Sequence, residues 1–261
     1  MNELQSLCDI AMQAARVGGE IVAAHFGAAR NIEEKAPGDW VSAADIASEA
    51  AVKQCLADLA PHVDFFGEES GGVKSDLGWF VDPLDGTANF LHGLDAVGVS
   101  IGLVRDGKPV VGVVHAPLLY GRMYHAYQGG GAFKDGTAIH VSTRSVAHAI
   151  PATGFPFRAK HRVPMYLKAF EAAFGAFEDM RRIGGASLDL SWSAEGVFDG
   201  YFELGLGTWD VAAGAVLVRE AGGVVTDWAG DPDEFLWSGD IVAGNPAVHA
   251  KILEIVKNAA N

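Results

Sequence analysis

A chain of 261 residues, 49% of them hydrophobic, can bury a substantial core as one large domain or two closely packed ones. Its 19 basic and 33 acidic residues leave a net charge of −14, which argues against nonspecific binding to nucleic acid or to an anionic membrane and leaves a small molecule as the expected partner. No apolar run reaches the length of a membrane span, and Cys8 and Cys55 are too few and too far apart for a disulfide framework or a Cys-x-x-Cys zinc site, so both are expected as buried thiols.

The start, Met1 to Ser6, lacks the basic residues and apolar centre of a signal peptide, so a soluble, cytoplasmic protein is expected. Residues 4–26 carry apolar positions at helical spacing, and residues 42–59 do so again until Pro61 stops the pattern. Next, residues 63–67 read as an apolar strand that runs into Glu68 and Glu69. The same design recurs at Trp79-Phe80-Val81, a short buried strand expected to end at Asp82. Pro83 keeps Asp82 out of the helical region, and residues 86–90 can open a helix whose free N–H groups point back over Asp82 and Asp85. Residues 97–114 form two apolar runs around Arg105-Asp106-Gly107-Lys108, a hairpin with Asp106-Gly107 at the turn. Further strands are expected near 123–126, 131–134 and 139–141. After about residue 147 short strands alternate with helices at 165–177, 187–196, 211–221 and 246–259. The chain is therefore expected to divide into an N-terminal α+β part, 1–146, and a C-terminal α/β part, 147–261.

Acids recur at element boundaries: Glu68, Asp82, Asp85, Glu203 after Tyr201-Phe202, and Asp210 after Trp209. Carboxylates gathered at the ends of buried strands repel one another and lose hydration, so a positive partner is required. Divalent metal supplies it economically, and a helix N-terminus beside paired carboxylates suits a phosphate carried on such ions. Other motifs carry less. Gly98-Val99-Ser100-Ile101-Gly102 matches a nucleophile elbow in letters, but its serine falls inside a strand leading to a hairpin. Gly129-Gly130-Gly131 lacks the Gly-Lys-Ser/Thr ending of a phosphate loop and reads as a turn. The nine histidines show no His-x-x-x-His pair and are assigned to packing or surface.

Together these residues resemble the inositol monophosphatase family of magnesium-dependent, lithium-sensitive phosphatases. Residues 79–90 resemble its first signature and residues 209–223 its second, while Gly67-Glu68-Glu69-Ser70 and the box from Asp39 to Asp45 resemble its shorter motifs, in the family's order. The resemblance implies a layered αβαβα sandwich, usually a homodimer, with two or three Mg²⁺ ions in a site between the two parts. It assigns Glu68, Asp82 and the Leu84 carbonyl to the first magnesium, and Asp82, Asp85 and Asp210 to the second. A third, weaker ion would lie near Glu68. Gly86 and Thr87 would hold the phosphate by their N–H groups, and Asp45 would accept the Thr87 hydroxyl. Glu69 would support the site and Lys35 would lie near the phosphate. Asp85, the backbone at Ala186 and Glu203 would meet the hydroxyls of a polyol, although the residues alone leave Glu203 equally readable as a capping or surface acid.

Hydrolysis of myo-inositol monophosphate by activated water is the implied activity, with Glu68 and the Asp45–Thr87 pair orienting and deprotonating the water. A related phosphatase of fructose 1,6-bisphosphate, histidinol phosphate or a nucleotide is the alternative, and a non-catalytic regulatory binding module a remoter one. Thr87-Ala88-Asn89-Phe90 and Trp209-Asp210 favour the inositol-type branch. Departures at Ala44, Asp95-Ala96 and Gly207-Thr208 bear on the fine substrate choice rather than on hydrolysis.

Overall fold

The computed structural model describes residues 2–28, 32–36, 39–73 and 75–260; Met1, the first residue of the segment read as lacking a signal peptide, lies outside them. Helix α1 (Glu3–His25) starts where the Asn2 side chain accepts from the Leu4 N–H, and α2 (Ala43–Leu59) starts at a capping box formed by Ser42 and Asp45. A small hairpin, β1 (Glu33–Ala36) and β2 (Asp39–Val41), stands between them in sequence. The strands β3 (Asp64–Gly67), β4 (Gly71–Gly72) and β5 (Leu77–Asp85) precede the short helix α3 (Thr87–Leu91). There follow β6 (Gly98–Arg105), β7 (Lys108–Ala116), β8 (Arg122–Tyr127), β9 (Gly131–Lys134) and β10 (Thr137–Ala138).

Among the described residues these strands build an eight-stranded sheet in the order β10-β9-β8-β7-β6-β5-β3-β4, antiparallel except where β3 runs parallel to β5. The second half contributes β11 (Ala152–Thr153), α4 (Val163–Ala176), α5 (Ala186–Glu195), β12 (Gly200–Glu203), α6 (Thr208–Glu220), β13 (Val224–Thr226), α7 (Phe235–Ser238), β14 (Ile241–Gly244) and α8 (Pro246–Ala260). Its strands make a four-stranded sheet in the order β11-β12-β14-β13.

Period-2 alternation divides the large sheet's residues between two cores. Trp79, Val81, Val99, Ile101 and Val113 pack with Leu7, Ala11, Val52 and Leu56 of α1 and α2. From the other face Phe80, Val104, Val114 and Tyr124 pack with Leu188, Val211 and Val216 of α5 and α6, which also receive Tyr201 and Ala243 from the small sheet. The outer face of the small sheet, with Phe202 and Val242, is covered by Tyr166 of α4 and by Val248 and Ile252 of α8. Helices, large sheet, helices, small sheet and helices thus form the expected αβαβα sandwich. No helix among the described residues is long and apolar enough to cross a membrane.

At two glycines α6 also approaches the backbone of the large sheet closely. A Cβ on Gly102 would lie 2.5 Å from the Ala212 Cβ, and one on Gly112 would lie 2.2 Å from the Ala213 carbonyl oxygen. Gly102 therefore belongs to this contact rather than to a nucleophile elbow, and Ser100 lies within β6 with its hydroxyl donating to the Trp209 carbonyl at 3.1 Å. Gly129 and Gly131 form the expected turn, and their N–H groups donate to the Glu220 carboxylate.

Three local expectations are corrected. Strand β5 does not end at Asp82 but continues to Asp85, because Pro83 and Leu84 are taken up by a register shift between Asp82 and Asp85 that needs no ladder N–H from the proline. Residues 139–141 form no strand: pairing stops at Ala138, Ile139 turns into the core, and the Val141 N–H bonds to the Ala221 carbonyl. Cys8 is buried as expected, whereas Cys55 is partly exposed on α2.

The α6 contact generates a stability test. Gly112→Ala should cost about 1–3 kcal/mol in denaturant unfolding, because the colliding atom is backbone and cannot rotate away. Gly175→Ala in α4, where a Cβ meets nothing within 4 Å, should be neutral or stabilising.

Candidate active site

Four segments bring acids to one cleft. Glu68 follows the end of β3 and is held there because Glu49 of α2 accepts the Glu69 and Ser70 N–H groups, each at 2.8 Å. Asp82 and Asp85 flank the register shift in β5, where the Leu84 N–H donates to Asp82 Oδ1 at 2.9 Å. The shift turns Pro83 and Leu84 toward neighbouring elements, and the Pro83 carbonyl accepts from the Ser48 hydroxyl of α2. Asp210 occupies the first turn of α6, where its Oδ2 accepts from the Gly207 N–H. Glu68, Asp82 and Asp210 can each present an oxygen such that all three lie within 4.8 Å of one another.

Asp85 is anchored to α5. Its Oδ2 accepts from the Ser187 N–H at 2.7 Å and from the Ser187 hydroxyl at 2.5 Å, which ties β5 to the first turn of α5. Gly86 takes a left-handed conformation, φ +87°, as N-cap of α3, and Thr87 follows it. The Thr87 hydroxyl lies 2.9 Å from Asp45 Oδ1 and 3.0 Å from the Leu84 carbonyl, so its single proton goes to one of the two. Asp45 is fixed from behind, its Oδ2 accepting from the Ser42 N–H and hydroxyl. Lys35 donates to Glu68 at 3.2 Å and to Glu69 at 2.8 Å.

The cleft holds a volume of about 180 Å³ and is lined by Glu68, Asp82, Leu84, Asp85, Gly86, Thr87, Ala186, Glu203 and Asp210, with Trp40, Phe157, Arg158 and Arg182 at its rim. Every residue named from the sequence as a metal, phosphate or polyol contact therefore faces one space, and Asp45 stands behind it. A larger groove of about 530 Å³ between α1 and the β7–β9 edge has none of these acids. Glu203, the residue left open between substrate contact and surface cap, is 6% exposed and accepts from the Tyr201 hydroxyl. Residues not foreseen are Ser187, Glu49, Arg158 and Arg182. Ser187 and Glu49 act through hydrogen bonds spanning 102 and 20 residues, and no local motif announces such pairs.

Burial raises the pKa of every acid in the cleft, and proximity adds to it. Asp82 stands well above the usual carboxylate range, first from lost hydration and then from repulsion by Glu68, Asp85 and Asp210. Desolvation likewise lifts Glu68, Asp85 and Asp210, with Arg158 and Lys35 opposing it at Glu68 and Ser187 opposing it at Asp85. Glu203 is pushed up to about 8, chiefly by burial, and Glu69 to about 7. Converging hard oxygen donors, fixed by backbone and unwilling to ionise together, fit a divalent cation such as Mg²⁺. Asp189 of α5 adds another fully buried acid, raised well above the usual carboxylate range by burial and then by Glu203 and Asp85.

The profile of the inositol monophosphatase family matches residues 3–261, nearly the whole chain. The chain belongs to the inositol monophosphatase family. Within it, the chain is 39% identical to the fructose-1,6-bisphosphatase/inositol-1-monophosphatase of Aquifex aeolicus, over 98% of this chain and 97% of that protein. It is also 39% identical to Nus factor SuhB of Escherichia coli K12, over 94% and 93% of the two chains. The crystal structure of the extragenic suppressor protein suhB from Bartonella henselae matches with a TM-score of 0.90 at 35% identity, covering 96% of this chain and 98% of that one. Membership in the inositol monophosphatase family supports a phosphatase and a metal-dependent one.

The raised acids fix a pH dependence for the metal-free protein. A carboxyl whose folded pKa exceeds its unfolded value stabilises the fold below the unfolded value and loses that contribution as pH rises through the folded one. Buried His115, His125 and His249, all lowered by desolvation, push the opposite way until the unfolded imidazoles have lost their protons, about one unit above 6.5. Glu203, pushed up to about 8, still titrates beyond that point, so thermal melts of chelated protein should fall in Tm as pH rises from about 7.5 through 8. Added Mg²⁺ should flatten the fall, and a Tm that rises with pH in chelator would contradict the assignment.

Proposed function

We propose that this inositol monophosphatase family member is a Mg²⁺-dependent, lithium-sensitive phosphoric monoester hydrolase that converts myo-inositol monophosphate to inositol and phosphate. The observation that carries the reading is the convergence of Glu68, Asp82 and Asp210 within 4.8 Å, with Asp85 and the α3 N-terminus beside them. We take the protein to be cytoplasmic and homodimeric, with no nucleic acid or membrane as partner. The chain is read as two parts, 1–146 and 147–261, that share the cleft.

In this reading Glu68, Asp82 and the Leu84 carbonyl hold one ion and Asp82, Asp85 and Asp210 a second, with a third weaker ion near Glu68. Such ions supply the Lewis acidity that activates water and the charge that stabilises a departing oxygen. Thr87, when it donates to Asp45 Oδ1, presents a lone pair to the attacking water, and Glu68 faces the same water from the other side. One carboxylate takes its proton as it attacks phosphorus, either Glu68 directly or Asp45 by way of Thr87, which would accept the water's proton while passing its own to Asp45 Oδ1, and the phosphorus–oxygen bond to the polyol breaks as the new one forms. Gly86 and Thr87 line the same cleft and would offer their N–H groups to the phosphate oxygens. Asp85, the Ala186 backbone and Glu203 line it too and would meet the hydroxyl groups of the departing polyol. No serine or cysteine nucleophile enters.

The name of the Aquifex relative supports a related phosphatase acting on fructose 1,6-bisphosphate, and histidinol phosphate and nucleotides complete the alternatives. A regulatory binding role takes its support from relatives named Nus factor SuhB. The complete set of acids in the cleft favours catalysis over that role alone. Phosphate release from a panel of these esters, with and without Mg²⁺, decides among them.

Two outcomes are expected. Chelation abolishes activity, and Glu68→Gln, Asp82→Asn and Asp210→Asn each lose about 3–5 kcal/mol of transition-state stabilisation with the fold intact by circular dichroism; full activity in chelator would end the reading. Glu203→Gln lowers kcat/KM on inositol phosphate by about 1–3 kcal/mol while sparing p-nitrophenyl phosphate, which has no hydroxyls to lose. Equal losses on the two substrates would show that Glu203 acts through metal or fold.

A further inference from the structure

We propose that Arg158 is an internal cation of the acid cluster, competing with the divalent ion for Glu68 and Asp210 and so setting how tightly the cleft takes metal. Its Nη1 lies 2.9 Å from Asp210 Oδ2 and its Nη2 lies 2.9 Å from Glu68 Oε1. One planar guanidinium thus spans two of the three carboxylates whose oxygens converge within 4.8 Å, one brought by the N-terminal half of the chain and one by α6. A guanidinium stabilises such a pair by parallel charge-assisted hydrogen bonds. A magnesium ion draws carboxylate oxygens to about 2.1 Å in near-octahedral array, and a guanidinium already bonded to one oxygen of Glu68 and one of Asp210 draws on their charge and repels the ion. The two cations compete at these acids.

The surrounding chain lets Arg158 leave. It lies on a single-turn segment, Phe157–Arg162, whose regularity breaks at Ala159, φ −126° and ψ 48°. The far end is pinned by Arg162, whose guanidinium makes a bidentate pair with Asp240. The Arg158 side chain is 26% exposed and rests over the Phe157 ring, its carbon Cζ 4.9 Å from the ring centroid. It can swing toward solvent by side-chain rotation while the anchored backbone stays in place. Lys35 meets Glu68 from the side of Glu69, donating to both carboxylates.

The inference rests on the metal reading of the cleft but is tested without turnover. Calorimetric titration of the full chain with Mg²⁺ at low ionic strength should give a Kd about five- to tenfold lower for Arg158→Gln than for the unaltered protein, the scale of one partly exposed ion-pair network. Arg158→Lys should fall between them, and circular dichroism shows whether each variant is folded. As a measurement that needs no variant, the Arg158 Nε–Hε NMR signal should lose protection from solvent exchange as Mg²⁺ is added. An unchanged or raised Kd in folded Arg158→Gln, or an Arg158 signal indifferent to metal, overturns the proposal. So does an unchanged metal Kd accompanied by a raised KM, which would make Arg158 a substrate contact. Because binding is read directly, absence of phosphatase activity would not be mistaken for failure of this inference.

Discussion

Carboxylates brought together out of water repel one another, and most of what is unusual in this molecule answers that repulsion. Asp82 is nearly inaccessible, and burial followed by repulsion from Glu68, Asp85 and Asp210 pushes its pKa well above the usual carboxylate range. Such a cluster survives only if backbone fixes each member and cations stand ready. The fold supplies the first through the β5 register shift, the loop held by Glu49, the Ser187 clamp on Asp85 and the first turn of α6. Arg158 and Lys35 supply the second.

The cost of this arrangement is shared between the two halves of the chain. Asp82 and Asp85 are carried by a strand packed on both faces, which gives them little freedom to relax. Asp210 comes from a helix wedged between two sheets, and its neighbours Val211, Ala212 and Ala213 are fully buried. The cations come from separate elements, the β1–β2 hairpin with Lys35 and the Phe157–Arg162 turn with Arg158. The rigid elements therefore set charge and spacing, and the rim elements set what may approach.

Much of this was legible in the chain because the acids are local signals. Asp82, Asp85, Glu68 and Asp210 each stand at the end of an apolar run, and that pattern survives without knowledge of the partners. Helices with caps or strong periodicity, such as α1 and α2, were read close to their true limits, and Asp106-Gly107 turned the β6–β7 hairpin as their left-handed preference requires. What escaped depended on long-range pairing. The extension of β5 to Asp85 is visible only once Gly98 lies opposite it, and the residues after Ala138 leave the sheet because Ala221 offers a better partner to Val141. Ser187, Glu49 and Arg158 look like ordinary helix and turn residues until the tertiary fold sets them against the acids.

The glycines beneath α6 carry one more consequence. At Gly112 the helix bearing Asp210 rests backbone to backbone on the sheet bearing Asp82, and at Gly102 only the Ala212 methyl lies between them. The gap between those acids is thus set by the thickness of main chain, a dimension that no substitution in the surrounding core can shorten. With that caliper fixed at the acids, what the cleft accepts is left to its other lining residues, Phe157, Arg158, Arg182 and Glu203, while the jaws themselves keep their setting.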